Sequence, residues 1–289
     1  MTHNMPEGFV HEDQIIYGMR KEYPGLFEIK IHNPKIKNAI GATPEAKLTK
    51  LVKEAQEDED IKVILLHGGA FFSSGNDLGA FAKAFKTGDV EKMLEDATHG
   101  AKVIMVDMLL ALATSIKPIV AVVRGGSVGI AFTLLSHATF IYCSPDAYFK
   151  TPFMESGQSP EGTSTLLFPE QFGRRKANEI LMLDKVIPAK EAVASGFANG
   201  IIDKFDKNSE WFDPGVIPCI PKLLKTDYRT LTNSMQELNH SKDMKKIEDV
   251  TRREAQALLD TWQDPTFIAN MTRYLKSTVQ KKKKKMAKL

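Results

Sequence analysis

The order of apolar and polar positions divides the chain into strands and helices that alternate up to about residue 205. Leu26 to His32, LFEIKIH, alternates apolar with polar residues, the period-two pattern of a strand covered on one face. Glu45 to Asp58 places Leu48, Leu51, Val52 and Ala55 on one side of a helix. Ile61 to His67, IKVILLH, and Pro118 to Arg124, PIVAVVR, are short and almost unbroken apolar runs, as expected of strands buried on both faces. The most apolar span, Val103 to Val123, is interrupted by Asp107, Lys117 and Pro118. It reads as an amphipathic helix leading into a buried strand and not as a membrane span. Helical periodicity also starts near Leu78, Val128 to Ala138 reads as a helix packed close to backbone, and Thr139 to Cys143 as a further short strand. This alternation predicts an α/β domain with largely parallel strands. Beyond residue 205 the strand signals fade, and Lys222 to Ser277 reads as several helices with charged faces, with a soft boundary near Asp203 to Asp213.

Composition narrows the classes. A chain of 289 residues, 43% hydrophobic, can bury a sizeable core as one large domain or two smaller ones. The formal net charge of +3 sits largely in one run, Lys281 to Lys285, so no broad basic face for nucleic acid is expected. Two distant cysteines, Cys143 and Cys219, make neither a disulfide framework nor a metal-ligand spacing. The N-terminus lacks the cationic and apolar regions of a secretory signal. The seven histidines form no H-E-x-x-H set, and Ser73 and Ser74 have no evident base partner for a serine hydrolase.

Three loops carry candidate chemistry. Phe71 to Leu78, FFSSGNDL, joins a predicted strand to a predicted helix. Gly75 permits a positive φ there, and the amide of Asn76 falls near a helix start, where amides can stabilise an oxyanion. Taken alone the stretch also reads as a plain helix cap, with Asn76 or Asp77 as N-cap. Arg124 to Leu135, RGGSVGIAFTLL, repeats the arrangement with glycines at 125, 126 and 129 and leaves the amide of Ile130 free to face a cleft. It fits neither the P-loop nor the G-x-G-x-x-G spacing, and a glycine-lined packing contact is the plainer alternative. The third loop, ESGQSPEG, holds Glu155 and Glu161. Pro160 restrains the chain before Glu161 and Gly162 frees it afterwards, which either aims a carboxylate inward or makes a surface turn.

The order and spacing of these loops resemble the crotonase (enoyl-CoA hydratase/isomerase) superfamily from about Phe27 to Ile202. NPKIKNAIG at Asn33 to Gly41 is similar to a CoA-proximal loop, SSGNDL and GGSVGI to the two oxyanion-hole loops. TPFMESGQSPEGTSTLLFP, Thr151 to Pro169, is similar to peroxisomal-type Δ3,Δ2-enoyl-CoA isomerases, and VIPAKEAVASGFANGII resembles the segment entering the family's C-terminal helices. The resemblance implies a spiral ββα core over residues 1–205, a C-terminal helical region over 206–280, and a basic tail over 281–289. It implies an isomerase that moves the double bond of a 3-enoyl-CoA to trans-2-enoyl-CoA, with Glu161 as acid and base and the amides of Asn76 and Ile130 as oxyanion hole. The hydratase branch uses two glutamates, one on the glycine-rich helix and one following the next strand, and an ungapped alignment puts Thr133 and Phe153 in their places. Thr139 stands where many relatives carry aspartate, a change expected to touch structure more than chemistry.

The same resemblance assigns substrate contacts to Lys35, Lys37, Ala39, Ser73, Ser74, Gly75, Asp77, Leu78, Gly126, Gly129 and Phe153, in a pocket expected to be otherwise apolar around Glu161. Glu155 is expected to be solvated or structural. CoA is part of the substrate, so no metal or separate cofactor is expected. No acyl-CoA-binding domain is expected before the core, since the N-terminal segment is short. The last residues, Ala287-Lys288-Leu289, resemble a Ser-Lys-Leu peroxisomal signal and imply an import receptor as partner and a peroxisomal location, with the mitochondrial matrix or cytoplasm as alternatives. A homotrimer or dimer of trimers is the family expectation. Another crotonase reaction, hydration or dienoyl isomerisation, and a non-catalytic acyl-CoA-binding relative remain the competing readings.

Overall fold

IKVILLH and PIVAVVR form the middle of the main sheet. In the computed structural model, residues 5–206 and 209–286 are described, with side chains through Ser277. The lysine side chains of the tail and the Ala287-Lys288-Leu289 tripeptide lie outside the described residues. Among the described residues the strands are β1 (Val10–Glu12), β2 (Ile15–Met19), β3 (Leu26–Ile31), β4 (Val63–His67), β5 (Ile119–Val123), β6 (Gly126–Val128), β7 (Phe140–Cys143), β8 (Tyr148–Lys150), β9 (Ile187–Pro188) and β10 (Gly200–Ile201). The main sheet runs β1-β2-β3-β4-β5-β7-β10, antiparallel through β3 and parallel from there on, and β6-β8-β9 make a second, smaller sheet.

The helices are α1 (Ala42–Glu57), α2 (Gly79–Thr87), α3 (Val90–His99), α4 (Val106–Ala113), α5 (Ile130–Thr133), α6 (Phe153–Ser156), α7 (Ser164–Phe172), α8 (Arg174–Leu183), α9 (Ala189–Ala194), α10 (Ile220–Lys225), α11 (Tyr228–His240), α12 (Met244–Gln263) and α13 (Pro265–Met286). A π-helical turn, Gly100–Met105, joins α3 to α4. The apolar span Val103 to Val123 is thus this turn, α4 and β5, and no helix among the described residues is long and apolar enough to cross a membrane.

The unbroken apolar runs follow from burial on both faces. Ile64 and Leu66 of β4 join Ala121 and Val123 of β5 in one core, under Leu48, Leu51, Val52 and Ala55 of α1. Val63, Leu65, Val120 and Val122 point the other way, into a second core closed by Ile217, Ile220 and Leu231. The C-terminal helices return to the first core through Leu258, Trp262, Phe267 and Met271.

β3 departs from expectation. Its alternation predicts one wet face, yet every residue from Leu26 to Ile31 is buried. Glu28 accepts hydrogen bonds from Arg20 and pairs with His67 Nε2 at 2.7 Å, while Lys30 Nζ lies 3.3 Å from Glu210 and 4.4 Å from the centre of the Trp211 ring. A period of two records which positions are polar, and here those positions find charged and aromatic partners in place of water.

Val128 to Ala138 is also not one helix. Val128 pairs with Lys150 as the end of β6, Gly129 turns the chain at φ 58°, and α5 lasts one turn before a 3-10 turn at Leu134–His137. Phe132 of α5 anchors this region among Phe149, Phe168 and Phe197, with ring centres 4.7–5.3 Å away. Thr139 is structural: its Oγ1 accepts from the Ile119 amide at 3.1 Å, joining the edge of β5 to β7.

Candidate active site

The loops after β3, β4 and β5 are tied to one another by backbone hydrogen bonds. Ser73 N donates to Gly126 O at 3.1 Å and Val128 N donates to Ser73 O at 3.1 Å, which joins the loop after β4 to β6. Ile40 N donates to Gly75 O at 2.9 Å, and Asp77 N donates to Ile40 O at 2.8 Å, so Asn76 is held between two paired neighbours. Asn38 Nδ2 donates to the carbonyls of Gly68 and Phe71 at 2.8 and 2.6 Å, clamping the same loop from below. Gly75 takes φ 84°, and a β-carbon there would run into the Val128 carbonyl. This contact requires glycine and brings the two loops together.

The amides of Asn76 and Ile130 have no hydrogen-bond partner among the described residues. Each ends a constrained stretch: Asn76 follows Gly75, and Ile130 opens α5 after Gly129, whose own N–H donates to Lys150 O at 2.8 Å. Both residues line one cavity of about 610 Å³.

Glu161 lines the same cavity and is 7% exposed. It stands in the loop between α6 and α7, followed by Gly162 and Thr163, both at positive φ. Gly162 rests against Thr133 of α5, with the Ile130 Cδ1 3.5 Å from where its β-carbon would be. The glutamate loop is therefore packed on the helix that begins with the free Ile130 amide. On its outer side α12 braces it: Thr165 N donates to Glu254 Oε1 at 2.8 Å, and the Thr163 and Thr251 hydroxyls are 2.7 Å apart. Burial pushes the Glu161 carboxyl well above the ordinary carboxylate range, and the negative charges of Glu45 and Glu254 push it the same way.

Glu155 has a different setting. It belongs to the single turn of α6, is 43% exposed, and pairs with Lys150 Nζ at 2.9 Å. Neither glutamate stood in an evident helix by periodicity; one turn is too short to produce any.

Of the residues assigned by resemblance, Ser74, Asn76, Asp77, Leu78, Gly129, Ile130, Phe153 and Glu161 border the cavity. Ser73, Gly75, Gly126 and Ala39 lie one layer back and are buried. There Ser73 Oγ accepts from the Gly75 amide at 3.1 Å, and Gly126 fits closely against Phe71 and Tyr148. Lys35 and Lys37 are exposed and outside the cavity lining, with Lys37 Nζ 5.2 Å from the Phe71 ring centre. The cavity is not otherwise apolar. Glu45, on the first turn of α1, lines it at 6% exposure, and burial pushes its carboxyl up to about 7. Its spacing with Leu48, Leu51 and Val52 was the available signal, since a helix face that is apolar carries it one turn earlier. Leu258 and Trp262 of α12 and Tyr274 of α13 complete the wall.

A main sheet that is parallel from β3 onward, a second small sheet, three tied loops and C-terminal helices folded back over the cavity define the crotonase class of fold. Solved structures agree: the chain matches OdaA of Pseudomonas aeruginosa at TM-score 0.76 and 24% identity, covering 91% of this chain and 99% of that one. It matches an enoyl-CoA hydratase from Bacillus halodurans at TM-score 0.77 and 17% identity, covering 90% and 99%. The family model for enoyl-CoA hydratase/isomerase matches residues 21–283, and the chain belongs to that family. Among curated relatives, enoyl-CoA delta isomerase 2 of Rattus norvegicus is 32% identical over 82% of this chain and 58% of its own length. Enoyl-CoA delta isomerase 3, peroxisomal, of Mus musculus is 29% identical over 82% of this chain and 71% of its own. The chain thus spans little more than half the length of the first of these relatives.

Proposed function

We propose that the chain is an isomerase that converts 3-enoyl-CoA to trans-2-enoyl-CoA. The observation that carries this reading is the burial of Glu161 in the cavity bordered by the unpartnered amides of Asn76 and Ile130. The ionised Glu161 carboxylate takes a proton from C2 of the substrate. The electron pair moves into a dienolate, and its negative charge collects on the thioester oxygen. Two amides aimed at that oxygen stabilise it, and losing one such donor typically costs about 3–4 kcal/mol. Glu161 then returns the proton to C4, leaving the double bond between C2 and C3. One carboxylate serves both carbons when it lies over one face of the allyl system.

Thr133 and Phe153 support isomerisation over water addition, because the resemblance puts the hydratase carboxylates at those positions. Both are buried, and Gly162 occupies the space beside Thr133. One observation favours hydration as a second reading: Glu45 is a further carboxyl group in the cavity. It comes from α1, however, and not from either hydratase position. A single assay separates the readings. Purified protein given a 3-enoyl-CoA should form 2-enoyl-CoA and should not go on to 3-hydroxyacyl-CoA. Binding without conversion would instead support a non-catalytic acyl-CoA-binding protein.

The isomerase relative whose name includes "peroxisomal" supports reading Ala287-Lys288-Leu289 as an import signal. A full-length reporter fusion should enter peroxisomes, and one that stays cytosolic beside an imported marker would refute this. The acyl-CoA substrate, the import receptor and a trimeric assembly belong to the same reading.

A further inference from the structure

Two buried carboxyl groups share the cavity, and only one has a part in the reaction above. Glu45 is 6% exposed and Glu161 7%, and both line the cavity. The Glu45 carboxylate has no hydrogen-bond partner among the described residues, and burial alone acts on it. A buried, unpaired carboxylate of this kind costs free energy unless it has a task or keeps its proton.

Among the described residues no cation is ion-paired with either glutamate. The charged groups near Glu161 from the other packed elements are the buried Glu254 of α12, already engaged by Thr165, and the buried His137 beside α5. Burial lowers His137 to about 4, so it stays neutral through the physiological range. Asp77, Lys83, Asp89, Lys92 and Asp96 stand at the solvent-exposed rim. The two groups are close enough for the charge of Glu45 to raise the Glu161 carboxyl, so the first to ionise holds back the second.

We propose that Glu45 is a tuning residue that competes with Glu161 for the single negative charge of the cavity and so sets the fraction of protein in which Glu161 is the ionised base. The inference rests on the isomerase reading for its catalytic consequence, but not for the charge coupling itself. While Glu45 carries the charge, Glu161 keeps its proton and cannot attack C2. Glu45 does not touch the reacting atoms in this account; it acts through Glu161. A substrate that excludes water from the cavity strengthens the coupling, because the field between the two groups is then less screened.

The test compares wild type with Glu45→Gln, a neutral replacement of the same shape. The Glu161 carboxyl is followed by NMR in protein labelled with ¹³C at glutamate side-chain carboxyls, its resonance assigned by its loss in Glu161→Gln. In Glu45→Gln the Glu161 titration should move down by about one pH unit or more. The acid limb of kcat/KM with 3-enoyl-CoA should move down with it, a gain of about tenfold at a pH on that limb. A Glu161 titration unmoved in a folded Glu45→Gln protein overturns the inference, as does a moved titration with an unmoved acid limb. Should wild type not isomerise 3-enoyl-CoA at any pH while the titration still moves, the isomerase reading fails and the charge coupling stands.

Discussion

Gly162 lies directly against Thr133, so closely that a β-carbon at 162 would overlap the threonine Oγ1 and come within 2.5 Å of its Cβ. The contact does two things at once. It seats the backbone after Glu161 on α5, and it fills the space that a larger side chain at position 133 would need.

Gly162→Ala should therefore disturb the site and the fold together. Position 162 sits at φ 76°, a region that alanine enters only at a cost of about 1–3 kcal/mol, before the clash is counted. Urea denaturation should show a loss of at least that size. Any isomerase activity should fall with it, because the glutamate loop has to lift off α5.

The polar face of β3 gives a prediction about stability alone. Glu28 is fully buried between Arg20 and His67. Glu28→Ala leaves the Arg20 guanidinium without its buried carboxylate partner, and removing one member of a buried pair typically costs about 3–5 kcal/mol. Chemical denaturation of the variant measures this directly.

That network was the part of the fold least legible in the sequence. The alternation in LFEIKIH marks Glu28 and Lys30 as facing the same way, but what covers that face comes from Glu210 and Trp211, far along the chain. The central strands and α1 were legible because burial on two faces, or on one helical stripe, leaves a local pattern. The strands of the second sheet are two or three residues long and leave none. Within the site, the glycine-rich loops and the Pro160-Glu161-Gly162 turn could be read locally. For Glu45 the helix spacing marks only the buried side of α1; that this side meets a cavity shared with Glu161 comes from residues far along the chain, Leu258, Trp262 and Tyr274 among them.

Glu45 should also make stability depend on pH in a particular direction. Burial raises its folded carboxyl to about 7 from an ordinary 4.5, so below pH 4.5 it is protonated both folded and unfolded and costs nothing. As pH rises the unfolded chain loses the proton first, and the stability is lost progressively up to about pH 7. At 1.36 kcal/mol per pH unit, Glu45→Gln should be more stable than wild type above pH 7 by on the order of 3 kcal/mol. At pH 4 the two should be nearly equal. Denaturation series at pH 4 and pH 8 check the sign.

In the proposed reaction Glu161 moves the proton and Glu155, six residues earlier in α6, does not. The direct measurement is turnover of 3-enoyl-CoA to 2-enoyl-CoA by Glu161→Gln and, separately, Glu155→Gln, each shown to be folded. A positioned acid–base group typically contributes about 10²–10⁴-fold, so Glu161→Gln should lose activity by that factor. Glu155→Gln, exposed and paired with Lys150, should retain it. Full turnover by Glu161→Gln would contradict the account.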